Sequence, residues 1–317
     1  MAQIFTKGQC AKKDLYDVFL TACLNAGWQN ISSSPVIDGD VLTSAGVSGD
    51  KKLLLRLWPY ASPPSAANNT ADSMRTNAGQ HRWSAQLQLS YTPGASGTAG
   101  TFLHPSRTYY NIGLFMPDGY GVSPANLPLD ALIDYCIFAD KNKIMFLTKP
   151  PDSYTTKWCF NVFGLPDIQY AKCENGRGMS WLSSYMPGLN AWNQCITAGP
   201  PDEGTGLTDA NNWWVDIQQI RAPYSPNQTQ PNLAKNFFLS ENYLSSISYG
   251  MIGKFEGFLA GNGNGISNGD TIQYNGDTYT CFRIDTFSLV YQQGTIYPVS
   301  SFWLAANVPV AVAVRLS

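Results

Sequence analysis

TIQYNGDTYTCF, residues 271–282, is the stretch that decides how this chain folds. Asn275 and Gly276 stand between two strand-forming runs, and Asn-Gly readily supplies the two positive φ angles of a type I′ turn. A two-residue β-hairpin is therefore expected, with residues 271–274 folded back on those from 277 onward. Such a turn makes an antiparallel ladder, and antiparallel sheet is what the flanking sequence goes on to specify.

Just before the hairpin lies GNGNGISNGD, residues 261–270, where Gly265, Ser267 and Gly269 match the nucleophile-elbow pattern G-x-S-x-G. An elbow needs a buried strand before the serine and a helix after it, but here AGNGN precedes and DTIQYNGD follows. The histidine of an α/β-hydrolase comes after the serine in the chain, whereas His81 and His104 both come before Ser267. A nucleotide cradle fares no better: the glycines do not form G-x-G-x-x-G, no G-K-[ST] follows, and a strand, not a helix N-terminus, comes next. A calcium-binding glycine repeat would need recurring aspartates, and only Asp270 closes this stretch. The stretch reads as a connector in a small terminal β-domain, with Ser267 a turn hydroxyl.

Beyond the hairpin, Val308, Val310, Val312, Val314 and Leu316 alternate, which predicts a strand with one apolar face. Toward the N-terminus, WSAQLQLSY (83–91) alternates strictly, placing Trp83, Ala85, Leu87, Leu89 and Tyr91 on one face. LLLRLW (53–58) reads as a buried strand, IDYCIFADKNKIMFLTKPP (133–151) as two strands folded around DKN, and KWCFNVFG (157–164) as the next. The clearest helix is KKDLYDVFLTACLNAG (12–27), which spaces Leu15, Val18, Phe19 and Ala22 helically and closes on Gly27. No period of 20–50 residues repeats, which excludes solenoids and propellers. The expected fold is α+β, predominantly antiparallel β, with an N-terminal amphipathic helix and a small C-terminal β-domain. Residues 1–240 would form the main domain and 241–317 the terminal one, with a boundary near residues 230–245, where SPNQTQP gives way to the more regular NLAKNFFLSENYL.

Composition narrows the function. Hydrophobic residues make up 44% of the 317, enough for a core, while charged residues make up only 13%, about half the roughly 25% usual for soluble domains. A net charge of −2 without a Lys/Arg cluster leaves no footprint for nucleic acid. The opening residues lack a signal-peptide apolar stretch, and no run of about 18 apolar residues occurs, so synthesis in the host cytoplasm without membrane insertion is expected. A polar but uncharged, aromatic-rich surface suits a protein that works outside cells or in a stable assembly, and a virion component, made in the cytoplasm and delivered elsewhere, reconciles this with cytoplasmic synthesis. The sequons at Asn30, Asn68 and Asn227 carry no weight without secretion.

Seven cysteines lie scattered without C-x-x-C and with only two histidines, so zinc-ligand spacing is missing. They read as small buried hydrophobes or as disulfides formed after release from a reducing cytosol, and an odd count leaves at least one free or paired to a neighbouring chain. From residue 165 to about 230 the chain turns irregular and aromatic. Trp181, Trp192, Trp213, Trp214 and Tyr224 are the candidate interface residues there, for other chains or for a glycan, against a loop-packed satellite core. The 66–80 and 93–104 loops would reach toward neighbours. Asp202, Glu203 and Asp216 are candidates for paired-carboxylate glycan cleavage, set against solvated loop carboxylates, and His81 and His104 read as hydrogen-bonded structural histidines. No catalytic, cofactor or metal site is expected.

Four segments taken together carry a resemblance: KKDLYDVFLTACLNAGWQNISSS (12–34), GDVLTSAGVSGDKKLLLRL (39–57), DKNKIMFLTKPP (140–151), and the closing unit GMIGKFEGF (250–258) with GDTIQYNGDTYTCFRI (269–284). They look like virion structural proteins of tailed bacteriophages, especially neck, tail and baseplate proteins of long-tailed phages. The opening helix and strands are similar in layout to tail-terminator and neck proteins, in which a small α/β domain assembles into a ring. The closing unit resembles short β-domains that end many phage tail and neck proteins. The similarity touches about half the chain, which is longer than the usual terminator. It implies a non-enzymatic subunit in a cyclic homo-oligomer, contacting copies of itself and other neck, tail or baseplate proteins in the virion, and it transfers no catalytic residue or cofactor. A receptor- or glycan-binding baseplate protein, and a virion-associated glycan hydrolase, are the alternatives.

Overall fold

Near-continuous apolar runs mark strands buried on both faces, because a strand with one wet face alternates. CIFA, IMFL and CFNVF are runs of this kind, and they form the middle of the molecule. The computed structural model describes residues 4–32, 39–44, 54–60, 82–88, 91–92, 101–102, 110–114, 127–170, 179–183, 196–198, 239–246, 250–263, 265–285 and 309–315. In chain order its elements are β1 (Ile4–Ala11), a 3-10 turn (Lys12–Asp14), α1 (Leu15–Asn25), β2 (Gln29–Asn30), β3 (Asp40–Thr43), β4 (Leu54–Trp58) and β5 (Arg82–Gln88). There follow β6 (Tyr91–Thr92), β7 (Thr101–Phe102), β8 (Tyr110–Gly113), β9 (Leu132–Ala139), β10 (Lys143–Lys149), β11 (Cys159–Gly164) and β12 (Ile168–Gln169). The last are β13 (Met179–Ser183), β14 (Ile196–Ala198), β15 (Leu239–Ser246), β16 (Gly250–Asn262), β17 (Thr271–Tyr274), β18 (Asp277–Asp285) and β19 (Pro309–Arg315).

The central sheet runs β1-β9-β10-β11-β13-β14. A second sheet, β2-β3-β4-β5-β8, covers one of its faces, and a terminal sheet, β12-β16-β19-β18-β17 with β15 also on β16, covers the other. Every described strand pair is antiparallel, so the described residues are mainly antiparallel β with one short N-terminal helix. The hairpin is as the sequence reads: Tyr274 faces Asp277, and Asn275 (φ 50°) and Gly276 (φ 89°) supply the turn.

The first hydrophobic layer lies between the central and second sheets. Ile133, Ile137, Ile144, Phe146 and Phe163 meet Leu42, Leu55, Leu57 and Trp83, and α1 adds Leu15, Tyr16, Phe19, Ala22 and Cys23. Trp83 stacks on Phe146 at 5.4 Å and 13°, with Phe19 tilted against Phe146 at 4.9 Å. The helix stops where the sequence predicts. Gly27 takes φ 93°, its N–H donates to Leu24 O (2.9 Å), and the Trp28 N–H donates to Cys23 O (3.1 Å), the two bonds of a Schellman closure.

The second layer is made by the other face of the same central strands. Cys136, Phe138, Met145, Leu147, Phe160 and Val162 meet Phe255, Phe258, Phe282, Ile284, Val312 and Val314. Phe255 and Phe258 lie three apart yet enter the same layer because β16 is bulged: Asn242 pairs Phe255 while Glu241 pairs Leu259. Gly257, at φ +81°, absorbs the extra residues, a conformation L side chains rarely adopt.

Two expectations shift. The strand expected over 83–91 is β5 up to Gln88, and Tyr91 belongs to a separate ribbon in which it faces Phe102. The closing strand β19, expected to have one apolar face, is buried on both. Val312 and Val314 enter the second layer, while Ala311 and Ala313 join Leu259, Ile266, Tyr279 and Cys281 in a third cluster. The alternation of Val with Ala records a thick layer on one side and a thin one on the other, not an apolar and a wet face.

Candidate functional site

The loop that precedes the hairpin is tied down from both ends. The Ile266 N–H donates to Gly263 O (3.0 Å) and the Asp270 N–H to Ser267 O (3.2 Å), while Asp270 Oδ2 accepts the Ser267 N–H (2.7 Å). Gly269 N–H donates to Cys281 O (2.9 Å), and the Cys281 N–H returns to Asp270 O (2.7 Å), so the loop is zipped to β18. Ile266 is buried in the third cluster, which leaves its neighbour Ser267 exposed. The serine leads into a strand, without the strand-turn-helix geometry of an elbow.

Asn268 joins three segments. Its Nδ2 donates to Thr156 O (3.3 Å) and its Oδ1 accepts the Arg283 N–H (2.7 Å), while the Trp158 N–H donates to Arg283 O (3.0 Å). Trp158 packs edge-on to Phe282 at 5.0 Å, fixing the turn that carries Thr156 against β18. Between these segments is a half-open recess of about 230 Å³ lined by Thr156, Ser267, Asn268 and Arg283. Of the four, Ser267 and Asn268 lie in the motif visible in the sequence. Thr156 comes from 112 positions away from Asn268 and Arg283 from 15, across the hairpin, and neither carries a local signal.

Charged side chains elsewhere serve the fold. Lys143, almost fully buried, pairs with Asp140 Oδ2 (3.4 Å) and with Asp167, whose other oxygen accepts the Glu256 N–H (2.8 Å) in the β16 bulge. Those contacts tie the central sheet to the terminal one at the rim of the second layer. Lys254 pairs with Glu241 (2.8 Å), and Arg315 with Asp277 (3.0 Å), whose hydrogen bond holds the guanidinium above its ordinary range. Lys12 is fully buried, with Nζ donating to Leu127 O (3.3 Å), and burial lowers its ammonium to about 8.

Five cysteines fall among the described residues and none of them forms a disulfide. Burial pushes Cys10 and Cys281 up to about 11 and Cys136 to about 12, and it raises Cys23 further. These thiols stay protonated at neutral pH and behave as small core residues. Among the described residues, no three His, Cys, Asp or Glu side chains gather as metal ligands, and no helix is long and apolar enough to cross a membrane.

Of the sequence-predicted interface residues, Trp181 lies on β13, in register with Phe163 on one side and Ile196 on the other. Trp192, Trp213, Trp214 and Tyr224 lie outside the described residues, as do Cys173, Cys195, Asp202, Glu203, Asp216, His81, His104 and the 66–80 loop. Of the 93–104 loop, Thr101 and Phe102 are described, as β7. No protein-family model matches the chain, and no curated protein matches it.

Proposed function

We propose that the chain is a non-enzymatic structural subunit of a tailed-phage virion, assembling as a ring in the neck or tail, as a tail terminator or collar does, with other neck, tail or baseplate proteins as further partners. The observation that carries this reading is where the aromatic stretch is anchored. The stretch is bounded by β14, the edge strand of the central sheet, and by β15 in the terminal sheet. The residues between carry Trp213, Trp214 and Tyr224, side-chain types enriched in surfaces buried against another chain. In this reading residues 241–317 are the β-unit offered to a neighbouring subunit, carried on the body by the second aromatic layer. The resemblance of the opening and closing segments to phage neck and tail proteins points the same way, and cyclic assembly is the usual way for one such surface to close on itself.

Native mass spectrometry and negative-stain electron microscopy of the purified chain test the reading. A closed ring of one stoichiometry is expected, with Trp213→Ala/Trp214→Ala dissociating it to monomers that keep their thermal transition. A stable monomer that binds host-wall glycan, and loses that binding in the same variant, would replace the ring reading with a receptor-binding one. Glycan cleavage stopped by Asp216→Asn would overturn both.

A further inference from the structure

Asn-Gly pairs recur at Asn262, Asn264, Asn268 and Asn275, and Asn268 and Asn275 are the two whose side-chain surroundings are described. We propose that Asn275, at the tip of the hairpin between β17 and β18, is a site of spontaneous covalent modification, where water converts the asparagine to aspartate and isoaspartate through a cyclic imide, while the structure protects Asn268 from the same reaction.

The chemistry needs nothing beyond the chain and water. The Gly276 backbone nitrogen attacks Asn275 Cγ, the N–C bond forms as the Cγ–Nδ2 bond breaks, and the proton of the Gly276 N–H leaves with ammonia. A water molecule then opens the imide. Opening at the side-chain carbonyl gives aspartate in an ordinary backbone, and opening at the main-chain carbonyl gives isoaspartate, whose backbone runs through Cβ. Glycine after the asparagine favours the attack, because no side chain shields its nitrogen or restricts its approach.

Hydrogen bonding, not solvent access, separates the two asparagines, since both are exposed. Asn268 Nδ2 donates to Thr156 O (3.3 Å), its Oδ1 accepts the Arg283 N–H (2.7 Å), and the N–H of Gly269, which would be the nucleophile, donates to Cys281 O (2.9 Å). Leaving group, electrophile and nucleophile would all have to be released together. At the hairpin tip no such tie is present: the Asn275 amide and the Gly276 N–H have no hydrogen-bond partner among the described residues, and a Cβ on Gly276 would meet nothing within 4 Å. The tip has to leave its positive-φ turn for the nitrogen to reach Cγ. It can do so without opening the sheet, because Thr271, Ile272 and Gln273 stay paired with Thr280, Tyr279 and Thr278 while the tip frays. Conversion places a carboxylate two residues from Asp277, whose pairing with Arg315 (3.0 Å) fastens β18 to β19. Isoaspartate also lengthens the main chain of a turn that the facing of Tyr274 and Asp277 fits to two residues.

Incubation of the folded full chain in mildly alkaline buffer, with a sample in urea run in parallel, tests the site. Peptide mapping by mass spectrometry, with electron-transfer fragmentation to tell aspartate from isoaspartate, reads the conversion at each position. In urea Asn268 and Asn275 are expected to convert at similar rates. In the folded chain Asn275 should convert at least about tenfold faster than Asn268, whose release breaks three hydrogen bonds. Equal folded rates at the two positions, a faster Asn268, or no conversion at Asn275 while the urea sample converts fully, overturns the proposal. Asn275→Gln keeps a neutral amide but has to close a larger and slower ring, so the mass gain of the hairpin peptide should vanish; an undiminished gain overturns the assignment to Asn275. Where that variant does not fold, the comparison of folded and urea-treated wild type decides alone.

Discussion

The two hydrophobic layers on either side of the central sheet are built on different rules. The first mixes apolar packing with buried polar contacts. Tyr16 donates to Asp40 (2.8 Å) and reaches Leu57 O (3.0 Å), Trp28 Nε1 donates to Asp140 O (2.7 Å), and Lys12 reaches Leu127 O (3.3 Å). The second is a field of Phe, Val, Met and Cys, and its ionic contacts sit at the rim, where Lys143 and Asp167 meet the bulge. Directional bonds pick one arrangement of helix on sheet in the first layer, while shape and a strand bulge do so in the second. A large apolar layer tolerates many packings of similar volume, and the bulge removes that freedom by setting which residues point inward.

Cutting into the first layer should have the largest effect. Phe146 touches both Trp83 and Phe19, so Phe146→Ala opens a cavity among three rings and is expected to lower unfolding stability by about 3–5 kcal/mol in urea melts. A loss below about 1 kcal/mol would mean that the layer repacks and that its polar contacts, not its rings, define it. Breaking the rim of the second layer should matter less. Asp167→Asn leaves Lys143 with Asp140 as its one carboxylate partner among the contacts described, for an expected loss of about 1–3 kcal/mol. Hydrogen exchange should then quicken first around residues 255–258. Uniform loosening of both layers would show that the rim contact is not specific to the terminal sheet.

The smallest expected effect is a pH dependence, and its sign separates two kinds of buried group. Lys12 titrates near 8 folded and near 10.5 unfolded, so between those values the unfolded chain holds more protons and this residue makes stability rise with pH. The buried thiols do the reverse, because their folded values near 11 to 12 lie above the unfolded one, and their contribution falls as pH climbs past about 9. The free-energy difference between wild type and Lys12→Met should therefore move about 1 kcal/mol in favour of wild type from pH 8 to pH 9. A pH-independent difference would place the Lys12 amine in a wetter setting than its burial implies.

Much of this was legible in short stretches. The Asn275-Gly276 turn, the helix with its stop at Gly27, and the strands β9 to β11 appear where local pattern places them, since turn chemistry and side-chain period act over a few residues. The recess was not legible. Asn268 meets Thr156 across 112 positions and Arg283 across 15, and no spacing rule encodes contacts made by separate segments meeting in space. The two-sided burial of β19 escaped for a related reason: alanine is small enough to face either water or a thin layer, and only the return of Ile266 over the sheet decides which.

GNGNGISNGD shows where the division falls. The sequence by itself determined that the chain turns within this stretch, because glycine and asparagine tolerate backbone angles that other residues resist and no helix signal follows. Tertiary structure decided what the turn does. Burying Ile266 leaves Ser267 exposed, and anchoring Asn268 to two distant segments brings Arg283 to the same recess. Local sterics set the first outcome, and the packing of one sheet against another set the second.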